Sequence, residues 1–297
     1  MKILVTGGLG FIGSNLVDLL VEEGHQVSVI DNLSSDSSSI SYRNSKSEIS
    51  ISGIRGSSFM REKYDVIFHL AAKARIQPSF DDPFDYIYEN FVNSLRIFQK
   101  AVEDKSRVVF ASTSSSQGGK FTSPYTFSKV SSEELLSMYN QTYGMRGTVV
   151  RFFNVYGPRE PEKGSSPTVV AKFLQSYKKG EPLTVIGDGK QMRDFTHVND
   201  ICEGLIRVAN KEAWEIDIET EARGIDLGRG APLSINDLVK IFYPDPQEGK
   251  DFVYEPLRRN EPLRTEADSV ILRRVLDWTP SKDLSEYIDK QKQHENS

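Results

Sequence analysis

Two groups of residues carry a spacing that chemistry can use. In Gly7-Gly8-Leu9-Gly10-Phe11-Ile12-Gly13 the glycines recur at three-residue intervals. Between a strand and a helix, such a turn lets backbone approach a pyrophosphate, and the helix N-terminus adds unpaired N–H groups and a favourable dipole. In Ser123-Pro124-Tyr125-Thr126-Phe127-Ser128-Lys129 the tyrosine and lysine stand at i and i+4, on one helical face, where both reach a single ligand. A free phenol titrates near about 10 and is a poor base at neutral pH. A neighbouring ammonium, and the positive ring of a nicotinamide held by the glycine turn, both favour its phenolate, which gives Lys129 an electrostatic role. Thr113 follows an apolar run at the edge where doubly wound sheets bind ligands, so its hydroxyl is placed to relay a proton to Tyr125. Ser112 to Ser116 also reads as a plain polar loop. Asp31, at the end of the second apolar run, is placed to accept hydrogen bonds from an adenosine ribose and to repel a 2′-phosphate, which favours NAD over NADP; Asp31-Asn32 is equally good turn chemistry.

These residues need rigid elements to hold them. Lys2 to Val5 predicts a strand, Ile12 to Glu23 an amphipathic helix, and Gln26 to Ile30 the next strand, completing a βαβ unit. Ser34 to Glu48 is dense in serine and charge and reads as a solvated loop. Asp65 to Leu70, Arg107 to Ala111 and Gly147 to Phe153 predict buried strands, and Tyr86 to Val102 and Ser123 to Tyr143 long helices. Alternation of this kind implies an α/β fold with a doubly wound parallel (Rossmann) sheet over residues 1–157. From Pro158 the elements shorten and arginines cluster, as in a smaller C-terminal α/β lobe over 158–297 that binds substrate, with a segment at about 190–205 returning to the first domain.

The 297 residues include 37 Lys and Arg against 42 Asp and Glu, a net charge of -5, which disfavours broad contact with nucleic acid. The single cysteine, Cys202, has no internal partner for a disulfide, and no Cys/His cluster has zinc spacing, so a reducing compartment and no metal are expected. No run reaches the roughly 20 apolar residues of a membrane span, and the N-terminus lacks a signal-peptide core, so a cytoplasmic location is expected.

With T-G-G-x-G-F-I-G, Asp31, H-L-A-A at His69 to Ala72, Asn90, the S-T-S-S segment, Tyr125 and Lys129, R-F-F-N-V-Y-G-P and G-D-G-x-x-x-R-D-F in one order, the chain resembles the extended short-chain dehydrogenase/reductases. Within them it is most similar to the nucleotide-sugar epimerase/dehydratase family, of the UDP-glucose 4-epimerase type. The resemblance implies NAD contacts at Gly7, Gly10, Phe11, Ile12, Gly13, Asp31, Asn32, Leu70, Ala71, Ala72, Asn90, Tyr125, Lys129 and Phe153. It implies catalytic roles for Thr113, Tyr125 and Lys129, diphosphate contacts at Asn154, Arg193 and Arg258, and a homodimer through the outer faces of the two long helices. A lobe-stabilising ion pair with Asp194 or Asp200 is the other reading of Arg193, and surface charge that of Arg258.

Several positions depart from the family pattern. Gly53 stands where the family often has an aspartate that contacts adenine, which leaves the backbone of Ile54 to help. Tyr125 follows Thr113 by only twelve residues, a shortened rim. Ser114 and Ser115 replace the acids that dehydratases and decarboxylases of the family carry after the threonine, which leaves 4-epimerisation, with NAD regenerated each turn. Thr265 aligns with a position that gates the sugar pocket; its moderate size favours N-acetylated as well as plain hexoses, although a polar loop residue is the other reading. The T-S-S segment also resembles that of UDP-glucuronate 4-epimerases, but Pro161 matches their arginine. An NAD(P)H-consuming reductase and an NAD-sensing binding protein are the remaining alternatives.

Overall fold

A computed structural model describes residues 1–35, 38–161, 167–210, 224–258 and 260–293. Runs of β-branched and apolar residues form β1 (Lys2–Thr6), β2 (Gln26–Asp31), β3 (Glu48–Ile51), β4 (Val66–His69), β5 (Arg107–Thr113) and β6 (Arg146–Phe152). With the strand Ile225–Leu227 they make one parallel sheet of seven, ordered Ile225–Leu227, β6, β5, β4, β1, β2, β3. The order reverses between β1 and β4, where Thr6 lies opposite Ile30 on one side and His69 on the other. Such a reversal opens a crevice beyond the carboxyl ends of the strands.

Both faces of the sheet are covered, as parallel strands require. Alternate strand residues point to opposite faces. Ile3, Val5, Val29, Phe68 and Val109 pack with Leu16, Val17 and Leu20 of the helix Phe11–Glu22 and with Ile201, Cys202 and Leu205 of the helix Val198–Asn210. Leu4, Ile30, Ile67, Val108 and Phe110 meet Ile97, Phe98 and Leu136 on the other side. The helix Pro124–Tyr143 starts on proline, with Ser123 Oγ accepting from Thr126 N at 3.0 Å, and stops at Gly144 in the left-handed conformation.

Two elements differ from the sequence expectation. The serine-rich stretch is not solvated loop throughout: Ile40–Tyr42 makes a short turn, and Glu48 opens the edge strand β3, whose Glu-Ile-Ser-Ile pattern is half exposed and too short and polar to read as buried sheet. The helix expected from Tyr86 begins earlier, at Pro83, because Asp82 Oδ1 caps Asp85 N at 3.2 Å. It then widens into a π turn over Tyr88–Val92 before Asn93–Asp104 continues as α-helix. Such single wide turns gather at functional sites.

A second core gathers Tyr156, Phe173, Leu183, Val185, Leu238 and Phe242. Beside it Met192–Arg193 pairs with both Leu233–Ser234 and Arg264–Thr265. Three later segments, Val198–Asn210, Ile225–Leu227 and Ser269–Leu276, all contribute buried side chains to the first core.

Candidate active site

The carboxyl ends of β1, β2, β4, β5 and β6 open on a cleft of about 730 Å³ that also reaches the second core. At its floor the glycine turn is shaped by sterics. Gly7 has φ of +73°, and a Cβ there would stand 2.8 Å from the backbone nitrogen of Ala71; at Gly13 it would stand 2.1 Å from the carbonyl oxygen of Gly7. Gly10 caps the helix Phe11–Glu22 with no side-chain hydrogen bond and no acidic residue in the first turn, so the N–H groups of Phe11, Ile12 and Gly13 face the cleft unshielded by a side chain. That is a cradle for a diphosphate. Asp31 is buried at the cleft wall, its two oxygens accepting from Leu9 N at 3.0 Å and Leu33 N at 2.8 Å. Each carboxylate oxygen keeps a further lone pair for a ribose hydroxyl. Asp31 thus serves turn and cleft together. Asn32, Ile54, Leu70, Ala71, Ala72 and Phe153 complete this half of the lining.

Asn90 does not reach the cleft. It is fully buried; Oδ1 accepts from Lys73 N at 2.7 Å, and Nδ2 donates to Lys73 O and Ser128 Oγ, both at 3.0 Å. Its amide holds the backbone that follows H-L-A-A, with both Nδ2 hydrogens committed. His69 is structural as well: Nδ1 lies 2.7 Å from Thr6 Oγ1 and Nε2 3.0 Å from Ser94 Oγ, and burial pushes the imidazole down to about 3, so it is neutral.

Tyr125, Thr113 and Lys129 meet in the cleft. The Thr113 hydroxyl bears on the phenol and favours its ionised form, and its Oγ1 accepts from Ser115 N at 3.2 Å, which sets Ser114 and Ser115 on a tight turn at the rim. Burial pushes the Tyr125 phenol above its ordinary range; the Thr113 hydroxyl and the guanidinium of Arg75 pull it back. Lys129 is buried 4.4 Å from the ring centroid of Phe110, and desolvation pushes its ammonium down to about 7 against the opposing carboxylate of Glu133. Its charge at neutral pH is therefore partial, weaker than its spacing alone suggested. Glu133 is held by Arg151 through Nε at 3.0 Å and Nη2 at 2.5 Å, and by the Ser112 hydroxyl.

The other half of the cleft is cationic. Asn154, Arg193, Arg258 and Thr265 line it as expected from the sequence, and Arg75 and Lys172 join them. Arg193 pairs with Glu261 at 2.7 Å, not with Asp194, which accepts backbone N–H groups of Arg229, Gly230 and Ala267, nor with Asp200, which accepts those of Ser281 and Lys282. Arg258 is exposed at the rim with no ion pair among the described residues. Thr265 is only 4 % exposed, and its hydroxyl has no partner among the described residues. Arg75, Lys172 and Glu133 carried no spacing signal; Arg75 sits in an ordinary loop sequence, and Glu133 is one acid among several on its helix. Among the described residues no cluster of His, Cys, Asp or Glu could hold a metal ion, and no helix is long and apolar enough to cross a membrane.

A model of the NAD dependent epimerase/dehydratase family matches residues 3–217. The chain belongs to that family. It is an enzyme of the isomerase class, its cofactor is NAD, and it is one of the UDP-sugar epimerases. Its fold superposes on the UDP-glucose 4-epimerase of Thermotoga maritima, solved with UDP-glucose, with a TM-score of 0.87 and 29% identity over 100% of both chains. It superposes on the UDP-N-acetylglucosamine 4-epimerase of Methanobrevibacter ruminantium, in complex with UDP-N-acetylmuramic acid, with a TM-score of 0.85 and 28% identity over 98% of this chain and 97% of that one. A UDP-glucuronate 4-epimerase of Thermodesulfobacterium geofontis is 29% identical over 97% of this chain and 94% of its own length. The enzyme's side chains fit NAD: the glycine cradle that a Cβ would fill, the bare helix N-terminus and the Asp31 carboxylate match its pyrophosphate and a ribose.

Proposed function

We propose that the enzyme is a 4-epimerase acting on UDP-GlcNAc and UDP-GalNAc, on UDP-glucose and UDP-galactose, or on both pairs. The observation that carries this reading is that Thr113, Tyr125 and Lys129 line one cleft whose positions 114 and 115 hold serines and no carboxylate. In this reading Tyr125 accepts the C4 hydroxyl proton, with Thr113 as relay, and returns it after the ketone has turned over. NAD bound in the glycine cradle would supply the hydride acceptor and donor that epimerisation at C4 needs. Lys129, buried one helical turn from Tyr125, favours its phenolate and contacts the cofactor. Gly7, Gly10, Phe11, Ile12, Gly13 and Asp31 bind the dinucleotide. Asn154, Arg193 and Arg258 take the diphosphate of the sugar nucleotide, whose paired oxygens suit guanidinium groups. The moderate size of Thr265, which lines the cleft, favours tolerance of N-acetylated as well as plain hexoses.

The reading also includes two lobes, a dinucleotide lobe and a substrate lobe meeting at the cleft, and a homodimer. Phe84, Leu95, Met138 and Tyr143 stand exposed on the outer side of the long helices, Phe84 at 80 %. A shared four-helix interface would cover them, and light scattering reads it as twice 33.5 kDa.

NMR of the products formed from UDP-GlcNAc, UDP-glucose and UDP-glucuronate, each with trace NAD, tests the reaction. The 4-epimer without stoichiometric NADH is expected. Tyr125→Phe is expected to lose turnover by at least about a thousandfold while still binding NAD and nucleotide sugar; full activity in that variant overturns the mechanism.

A further inference from the structure

Arg75 stands on a backbone that ordinarily belongs to glycine. Its φ of +87° and ψ of +138° cost a residue with a Cβ, and such conformations persist only where surrounding structure over-determines them. The surroundings here do so. The buried Asn90 amide clamps both backbone groups of Lys73, Tyr86 donates its hydroxyl proton to Ala74 O at 2.7 Å, and the Lys73 ammonium is paired with Asp85. Asn90 itself sits on the π turn and Tyr86 just before it, so the irregular helix supplies most of the clamp. Glycine at position 75 would meet the same backbone demand without strain; what the arginine adds is its side chain.

That side chain enters the cleft that Tyr125 lines. The ring of Tyr86, whose hydroxyl holds residue 74, meets the Tyr125 ring edge-on at 6.3 Å, so clamp and phenol form one packed unit. Thr113 from β5, Arg75 from the clamped loop and Tyr86 from the helix Pro83–Ile87 bear on Tyr125, Lys129 follows it one turn on along its own helix, and Glu160 and Lys172 bear on Arg75. Asp82 and Asp85 bear on Tyr86. Lys129, desolvated, carries a partial charge, whereas a guanidinium remains cationic across the whole working range.

We infer that Arg75 is a positioning residue for proton transfer: the strained, clamped loop holds a permanent positive charge toward Tyr125, where it favours the phenolate and acts through the tyrosine, not on the sugar. The inference rests on Tyr125 being the proton acceptor. It adds a second cation to a pair that spacing alone assigns to Lys129, and gives the unusual backbone at residue 75 a purpose.

The test is the pH dependence of kcat/KM for the wild type, Arg75→Met, Arg75→Lys and Arg75→Gly. Beside it runs alkaline titration of each protein at the phenolate absorbance, read as the difference from its Tyr125→Phe counterpart. In Arg75→Met the Tyr125 midpoint is expected to rise by about one unit, with a roughly tenfold loss of kcat/KM at neutral pH that shrinks as pH rises. Arg75→Lys is expected to recover part of the shift. Arg75→Gly is expected to show the same shift with an unchanged or higher Tm, which separates lost charge from a damaged loop. An unmoved phenol midpoint with a loss that is flat in pH overturns the inference. So does a loss confined to KM for nucleotide sugars that bear a carboxylate, which would make Arg75 a substrate anchor. Full activity in Tyr125→Phe alone would remove the proton-acceptor reading beneath it, whereas an inactive Tyr125→Phe beside an unshifted Arg75→Met removes only the role of Arg75.

Discussion

The two halves of the cleft are built in different ways. The half that fits NAD is made of strand ends and the turns directly after them: Gly7 to Gly13 after β1, Asp31 at the end of β2, Leu70 to Ala72 after β4. Asp31 in it is fixed by two neighbouring backbone N–H groups, while the N–H groups at the start of the helix Phe11–Glu22 are capped by no side chain. The half proposed for the sugar nucleotide is assembled from short pieces far apart in the chain, among them Asn154, Arg193, Arg258 and Thr265, and it keeps an orphaned hydroxyl and a cation at the rim without an ion pair. One half is set by local turns on the ends of sheet strands, and the other by groups that only the folded chain brings together.

The contrast breaks first at Gly13. Gly13→Ala puts a methyl group into the Gly7 carbonyl and should weaken NAD binding by about a hundredfold, roughly 3 kcal/mol, by calorimetry. Affinity for UDP should be nearly unchanged, and an equal loss of both would show that the halves are mechanically one.

Acid is the next lever, and it also acts on the NAD half. His69 titrates near 6.5 when unfolded and near 3 when folded, so between those values only the unfolded chain takes the proton, and stability is full above about 6.5 and falls as pH drops. At pH 5 the histidine alone should cost about 2 kcal/mol, read as a lower Tm than at pH 7, and His69→Gln should flatten that slope. His197, pushed down to about 4, adds to the slope in the wild type.

Asp31→Ala should move the NAD:NADP ratio of dissociation constants about tenfold toward NADP and lower the Tm, since Leu9 N and Leu33 N lose their acceptor. A ratio that stays put would mean that Asp31 only ties the turn. The smallest effect is expected on the opposite side. Thr265→Tyr should cost N-acetylated sugars about tenfold in kcat/KM and leave UDP-glucose within about twofold. Equal losses would put another residue at that wall.

The same contrast explains what the sequence made legible. The βαβ frame, the glycine turn, Asp31 and the Tyr125/Lys129 pair are local patterns, complete within a few residues, and each of these residues lies on the cleft. The positions of Arg193, Arg258 and Thr265 came only through resemblance to a family, because no local pattern joins them. What stayed hidden depended on tertiary detail. The amide of Asn90 looked available to a cofactor until the π turn aimed it at Lys73. The partner of Arg193 proved to be Glu261, distant in sequence, while nearer acids were consumed by backbone. Burial, which no spacing reports, changed Lys129 from a firm cation to a half-charged one.

The later segments that rejoin the large sheet bear on how the molecule can flex. Val198–Asn210 and Ser269–Leu276 lie on the sheet and Ile225–Leu227 is hydrogen-bonded to β6, so the smaller core is tied to the larger by more than one crossing. A plate fastened by several parallel straps tilts a little and does not swing. The same fastening forbids a clean cut: a fragment ending at Tyr156 would bare Val109 and Val150 to water, so the dinucleotide half has no independent existence as a module to be borrowed or transplanted.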